Sequence, residues 1–513
     1  MNTETVTSYI PHLPTPLAVA LCALPVVYAY TSSRQKKALP PGPKPLPLIG
    51  NVLDVPREAA WKVFKEWGHQ YGDMIFLHTL GKPMLIVNSA DIAFDLLDKR
   101  SGLYSFRPQF AMANEVIGWK FSLTSMDYSE KSKRQRKYMA SYFAKARLPD
   151  YYPVQVREAH QMLNEILDDP NDYRNAIRRN AAGVTMMITY GHRVKSKDDE
   201  FIAIADKGVA TIEAAGAVGA HIVDFVPWLR FIPDWFPGAG IKRLPPGTRE
   251  NLQAFLHVPF DQVKKRMAAG TAIPCYTTKL LEQTKGQDDE GVLGTAALVY
   301  SGGMDTTMSA IFTAFTLIVA NPLIQARIQA ELDLVVGKDR LPDFSDRPRL
   351  PYLQCVISEA LRWGASTPVG VPHRTSQDDV YRGYLIPKDT TILANQYAML
   401  HDERVYPDPA RFNPDRFLEG EGRTPQQDPR DIAFGFGRRI CPGKDIAENT
   451  MWITIACMFY AFKITSELDK EGNPLPVDLE YEEFSVRHPK PFKAIIKPRH
   501  DTTVDLIRAG NEA

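Results

Sequence analysis

The chain predicts long buried helices and a short β-hairpin set between helices, behind one N-terminal membrane helix. Three observations predict it. Residues 13–30 are mostly apolar and are followed by Arg34, Lys36 and Lys37. Residues 61–97 carry helix, β-hairpin and helix signals in that order. Residues 293–319 and 444–462 are long apolar stretches of the kind that form buried helices.

Composition sets the outer limits. A length of 513 residues would hold two or three average domains. At 44% hydrophobic and 24% charged, the chain can build a large core. A net charge of +1 gives no argument for nucleic acid as a partner. The five cysteines, Cys22, Cys275, Cys355, Cys441 and Cys457, show no C-x-x-C spacing, which speaks against a disulfide framework or a zinc site. Reduced thiols indicate a body facing the cytosol.

Residues 13–30 number 18, near the minimum for a membrane span. Pro14, Pro16 and Pro25 weaken that helix, although proline is tolerated in spanning segments. The basic cluster after it predicts a C-terminal side in the cytosol. A cleaved signal peptide would carry its basic residues before the apolar run and a small-residue site after it, so an uncleaved anchor is the preferred reading. Leu39-Pro40-Pro41-Gly42-Pro43, with Pro45 and Pro47, predicts a stiff, extended linker. A helix is expected over 61–71, strands over 75–80 and 84–87 around Gly81-Lys82, and a helix capped by Ser89 running to 97. Residues 104–124 lack clean periodicity. Residues 128–137 are basic, with Lys131, Lys133, Arg134, Arg136 and Lys137, and one reading is a solvated helix face. Residues 221–242 hold Phe225, Trp228, Phe231, Trp235 and Phe236, interrupted by Pro227, Pro233 and Pro237. They are either core or a segment dipping into a membrane interface, where tryptophan is enriched; the interface reading is preferred.

Two stretches carry chemistry. Residues 434–443, Phe-Gly-Phe-Gly-Arg-Arg-Ile-Cys-Pro-Gly, present Cys441 on a glycine-rich loop ahead of a helix. Gly437 and Gly443 permit tight turns, and backbone N–H groups at the helix start favour a thiolate able to bind a metal. Pro442 suits a helix start, Phe434 can shield the sulfur, and Arg439 can pair with an acid. Residues 302–307, Gly-Gly-Met-Asp-Thr-Thr, interrupt an apolar helix with paired glycines, an acid and hydroxyls, which are costly there unless satisfied. Bland readings exist for both: a buried structural cysteine, and a packing glycine beside a polar patch. Their joint occurrence outweighs those readings.

The first stretch resembles the haem-binding signature F-x-x-G-x-R-x-C-x-G of the cytochrome P-450 family, through Phe434, Gly437, Arg439, Cys441 and Gly443. The second matches the family's [AG]-G-x-[DE]-T-[TS] through Gly302, Gly303, Asp305, Thr306 and Thr307. Glu359 and Arg362 resemble its E-x-x-R pair, and Arg416 in Pro414-Asp415-Arg416-Phe417 resembles the third member of that network. The resemblance runs from the proline segment to about residue 498, and it implies one mainly α P-450 fold with a small β lobe. It divides the chain into a membrane anchor over 1–32, a proline-rich hinge over 33–50 and a catalytic domain over 51–513.

The same resemblance implies the roles. Cys441 is the axial thiolate on the iron of haem b, whose electron donation favours O–O cleavage. Gly302 and Gly303 open a groove for O2 beside the iron. Thr306 hydrogen-bonds the distal oxygen, and Asp305 relays protons inward. Arg136, His373 and Arg374 are expected at the haem propionates. Ser132 stands where the family usually has a tryptophan. Glu359, Arg362 and Arg416 serve folding and haem retention. Val369 and Val371 are expected to touch substrate, and Arg487 to meet a polar group on it. The implied activity is a monooxygenase on a hydrophobic small molecule, taking electrons from NADPH through a membrane-bound cytochrome P-450 reductase docked near Lys133, Arg134, Arg438 and Lys444. The implied setting is the endoplasmic reticulum membrane, single-pass, body in the cytosol. Linker and core segments look most like fungal members related to O-methylsterigmatocystin oxidoreductase, pointing to terpenoid, polyketide or indole-derived substrates. The rivals are a haem-thiolate isomerase or dehydratase, against which Asp305 and Thr306 argue, and a non-enzymatic membrane haem-binding protein.

Overall fold

A computed structural model describes residues 38–56, 58–213, 221–233, 235, 240, 244–420, 422–482 and 486–512. The expected anchor over 1–32, Arg34, Lys36 and Lys37 lie outside the described residues, as do Phe236 and Pro237 of the aromatic run.

Helix α1 (Ala60–Tyr71) is followed by strands β1 (Met74–Thr79) and β2 (Lys82–Val87). The turn falls on Leu80 and Gly81, both at positive φ, one residue before the expected place. Ser89 precedes a helical turn, Ala90–Ala93, but its side chain makes no capping bond, and the segment continues as a π-helix over Phe94–Lys99. Strands β3 (His373–Arg374), β4 (Asp379–Tyr381), β5 (Tyr384–Ile386) and β6 (Thr391–Ala394) come much later in the chain. The main sheet is ordered β1-β2-β6-β3, with β2 and β6 parallel and the other pairs antiparallel. The proline segment is no free spacer. Phe76 N–H donates to Pro41 O at 2.9 Å and Leu385 N–H to Ala38 O at 2.9 Å, so it lies along the lobe.

The helical body contains α2 (Glu130–Tyr142), α3 (Tyr152–Asp168), α4 (Tyr173–Tyr190), α5 (Glu200–Glu213), α6 (Thr248–Ala268), α7 (Asp289–Val319), α8 (Pro322–Val336), α9 (Pro351–Gly364) and α10 (Lys444–Ala461). Strands β7 (Phe462–Ser466) and β10 (Ala494–Pro498) pair, as do β8 (Tyr481–Glu482) and β9 (His488–Pro489), before a last helix, α11 (Asp501–Glu512).

Helix α7 is the spine, and its sequence explains why. The half before Met304 packs Val292, Ala296, Ala297 and Tyr300 into one buried cluster with α2, α4 and α6. The half after Ser309 packs Ile311, Phe312, Phe315 and Ile318 into a second with α3, α9 and α10. Burial of that much apolar surface, at roughly 25 cal/mol per Å2, outweighs the helix-weakening glycines. Between the halves, Gly302, Gly303, Asp305 and Thr306 are incompletely covered. Among the described residues α7 is the one helix long and apolar enough to cross a membrane, but 67% of its apolar window is buried inside the body.

Candidate active site

A cavity of about 330 Å3 separates the middle of α7 from the loop that leads into α10. Gly302, Gly303, Thr306 and Thr307 line it from α7, and Phe434, Arg439, Cys441 and Gly443 from the loop. Residues more than 120 apart in sequence thus face one space.

The loop is shaped by Gly437. Its φ is +52°, and a Cβ there would sit 2.3 Å from Leu97 O. Gly437→Ala is therefore expected to cost about 2 kcal/mol or more, through left-handed backbone and a clash with a main-chain oxygen. A lower unfolding midpoint with reduced haem content would register it. Gly443 has an ordinary φ of −94° and caps α10, which begins at Lys444, so Pro442 lies outside the helix. Cys441 N–H donates to Phe434 O at 2.8 Å and closes the loop.

Burial pushes the Cys441 thiol above its ordinary pKa. The Gly443 N–H, Arg136 and Lys444 pull it the other way without prevailing. A coordinated cation would remove the proton outright.

Four basic side chains crowd the same cavity. Arg107 donates from Nη1 to Val371 O at 2.9 Å and Pro372 O at 2.6 Å, while its buried Nε has no partner. Burial, then Arg439 and Arg136, holds its pKa well below the arginine range. Arg439 was expected to meet an acid. It instead donates to three carbonyls, Ser105 O at 2.8 Å, Leu123 O at 3.1 Å and Met126 O at 2.9 Å, and burial pushes it down to about 10. Arg136 donates to Ile440 O at 2.7 Å and is likewise lowered by burial. His373 is buried, with Nδ1 2.8 Å from Tyr104 O, and burial then Arg107 push it well down. Among the described residues no carboxylate forms an ion pair with Arg107, Arg136 or Arg439. Buried cations without counter-charge are unfavourable, and a bound dianion would relieve them.

Arg374 is elsewhere. It pairs with Asp127 at 2.8 Å and with Asp389, and it does not line the cavity. Ser132 has a local use: its side chain and that of Ser129 form a reciprocal cap at the start of α2.

On α7, the Thr306 hydroxyl donates to Gly302 O at 2.6 Å, which leaves its oxygen able to accept from a donor in the cavity. An added Cβ at Gly302 would meet no atom within 4 Å, so the space above it is open. At Gly303 it would meet Thr185 Cγ2 at 3.0 Å, where α7 and α4 approach closely. Asp305 does not line the cavity; its Oδ1 is 3.0 Å from His488 Nε2. Behind the loop, Glu359 takes Arg362 Nε at 2.7 Å and Arg416 Nε at 3.2 Å, all three side chains being buried.

A family model described as cytochrome P-450 matches residues 40–496. The chain belongs to the cytochrome P-450 family. It is 36% identical over 502 residues to cytochrome P-450 monooxygenase 208 of Postia placenta, covering 98% of both chains. It is 36% identical to cytochrome P-450 monooxygenase claR of Ampulloclitocybe clavipes, over 96% of this chain and 92% of that one. It is 35% identical to tryptamine 4-monooxygenase of Psilocybe cyanescens, over 92% of this chain and 96% of that one. The protein is accordingly a P-450 monooxygenase, an oxidoreductase whose cofactor is haem b, with O2 as co-substrate and electrons originating from NADPH. The O-methylsterigmatocystin-type enzyme is not among these three relatives.

The residues present fit haem b. A thiol faces the cavity from one side, open space over Gly302 from the other, and the basic cluster, with an orphaned Arg107 Nε, suits two propionates.

Two residues escaped sequence reasoning. Arg107, in Phe106-Arg107-Pro108, sits in an aperiodic segment with no local pattern marking it. His488 was passed over for its neighbour. Arg487 is not in the cavity lining: it lies over the Tyr481 ring at 4.1 Å and donates to Gly364 O at 3.3 Å. Val371 lines the cavity, whereas Val369 packs against the buried cluster that includes Phe64, Ile75 and Leu77.

Proposed function

We propose that this P-450 inserts one oxygen atom from O2 into a hydrophobic product of fungal secondary metabolism, of the terpenoid, polyketide or indole-derived class. The observation that carries the reading is the opposition of Cys441 to Gly302 and Thr306 across one mostly apolar cavity. Tryptamine 4-monooxygenase, named for an indole amine, supports the indole-derived arm. Electrons come from NADPH–cytochrome P-450 reductase at a face that includes Lys133, Arg134, Arg438 and Lys444.

Haem b, when bound, supplies the iron at which O2 is reduced and cleaved. The chain supplies the rest. Cys441 would hold the iron, supplying it with an anionic sulfur donor. Arg107, Arg136, Arg439 and His373 would hold the propionates. Leu123, Leu298, Val299 and Val371 exclude water from the reacting carbon. Thr306, whose hydroxyl donates to Gly302 O, would accept a hydrogen bond from a donor in the cavity, and Asp305 would hold and pass protons behind it.

The body sits on the endoplasmic reticulum membrane facing the cytosol, with residues 1–32 as anchor, 33–50 as hinge and 51–513 as catalytic domain. Supporting this, Leu48 and Leu53 on the hinge side and Trp228, Phe231 and Trp235 on the aromatic run are exposed, large and apolar.

The test is turnover in yeast microsomes carrying a fungal reductase, with NADPH and a panel of terpenoids, polyketides and indoles, read as one added oxygen by mass. Thr306→Ala is expected to cut product formation on the order of 10²-fold while NADPH oxidation continues, because proton delivery is lost before oxygen reduction is. Turnover of a peroxide without NADPH would point to the isomerase chemistry instead.

A further inference from the structure

We infer that His488 is a positioning residue that holds Asp305 and reloads it with protons from the β8–β9 hairpin. The inference rests on the monooxygenase reading.

Asp305, Ser309 and Phe312 lie at i, i+4 and i+7 on α7 and share one face. That face meets the hairpin. His488 Nε2 is 3.0 Å from Asp305 Oδ1, Ser309 Oγ donates to Arg487 O at 2.5 Å, and the His488 ring meets Phe312 edge-on at 6.4 Å between centroids. The hairpin is fixed from its other side too: His488 pairs with Glu482 across the strands, and Arg487 N–H donates to Ser366 O at 3.0 Å. Thr306, one residue on, is turned about 100° away and lines the cavity. Asp305 therefore stands at the seam between hairpin and cavity, held by one nitrogen.

A carboxylate oxygen only accepts, so Nε2 carries the hydrogen in this bond. The side chains of His488 and Asp305 keep 12% and 17% exposure, enough for exchange with water at the hairpin. One proton passes from Nε2 of the imidazolium to Oδ1, leaving neutral imidazole and a neutral carboxyl. The neutral carboxyl loses the charge-assisted bond that held it and is free to turn toward Thr306. It releases that proton into the cavity and returns as carboxylate, while the imidazole takes one proton from a solvent hydronium, which leaves as water. One proton enters and one leaves per cycle.

The experiment uses full-length protein in reductase-containing microsomes, with His488→Gln, Asp305→Asn and the double variant. Glutamine keeps an N–H for Asp305 but carries no transferable proton. Expected are at least tenfold less product per NADPH in His488→Gln, a matching rise in hydrogen peroxide, and a substrate-binding spectral shift within twofold of wild type. The double variant is expected to couple no worse than the poorer single variant, and to unfold no earlier than the less stable one, as for two members of one unit. Wild-type coupling in His488→Gln, or additive losses in the double variant, would overturn the inference. Should His488→Gln fail to accumulate, Asp305→Asn with wild-type coupling overturns it as well. Product formation by the wild type in the same preparation separates failure of this inference from failure of the monooxygenase reading.

Discussion

Cys441→Ser is expected to abolish product formation and the absorbance signature of thiolate-ligated haem, while leaving the polypeptide folded. Serine preserves the small side chain, and the main-chain bond to Phe434 O does not depend on it. What it loses is an anion. The surroundings of Cys441 already disfavour the charged thiolate, since burial outweighs Gly443, Arg136 and Lys444. A hydroxyl, far less acidic than a thiol, would ionise still less readily in that place. The loss should exceed the roughly 100-fold that removing a merely supporting contact costs a metal site. The reduced carbon monoxide spectrum and product yield on one preparation check it. Retained thiolate-type absorbance in Cys441→Ser would remove Cys441 as the ligand.

Glu359→Ala is expected to be the most damaging substitution away from the cavity. Glu359 accepts from Arg362 Nε at 2.7 Å and Nη2 at 2.9 Å, from Arg416 Nε at 3.2 Å and from Asn413 N–H at 2.9 Å. All three charged side chains are essentially buried, so truncation leaves two cations without counter-charge. Breaking such a pair typically costs about 3–5 kcal/mol. Against a typical total of about 5–15 kcal/mol, that threatens accumulation of the folded protein. Arg362 and Arg416 also hold Leu400 O, Pro409 O, Pro407 O and Asp408 O, so the connection toward the cysteine loop would loosen with them. Denaturant unfolding of the variant, with Glu359→Gln as the milder comparison, measures the effect. A change below about 0.5 kcal/mol, the ordinary scatter of surface substitutions, would show that the network bears no such weight.

The motifs legible in the sequence are those whose chemistry is local. Cys441 on its loop and Gly302, Gly303 and Thr306 on α7 could be singled out because turns, helix register and hydroxyl placement are written within ten residues. The spine helix was legible for the same reason: apolar composition over many turns demands burial. Misreadings arose where the partner is remote. Arg439 was matched to an acid and found three carbonyls from the 105–126 segment. Arg374 was matched to the haem edge and is drawn to Asp127 and Asp389. Of the two glycines expected to make tight turns, Gly437 has a positive φ and Gly443 an ordinary one.

By itself, then, the sequence determined the helical body, the small sheet, the thiol loop and the polar break in α7, because each follows from short-range periodicity, turn chemistry or composition. Only the tertiary structure decided which charges meet. Arg107 joins His373 and Arg439 across more than 260 residues of chain, and His488 reaches Asp305 across 183. Coulomb and hydrogen-bond energies depend on distance in space, and no local pattern in a sequence encodes a distance between segments so far apart.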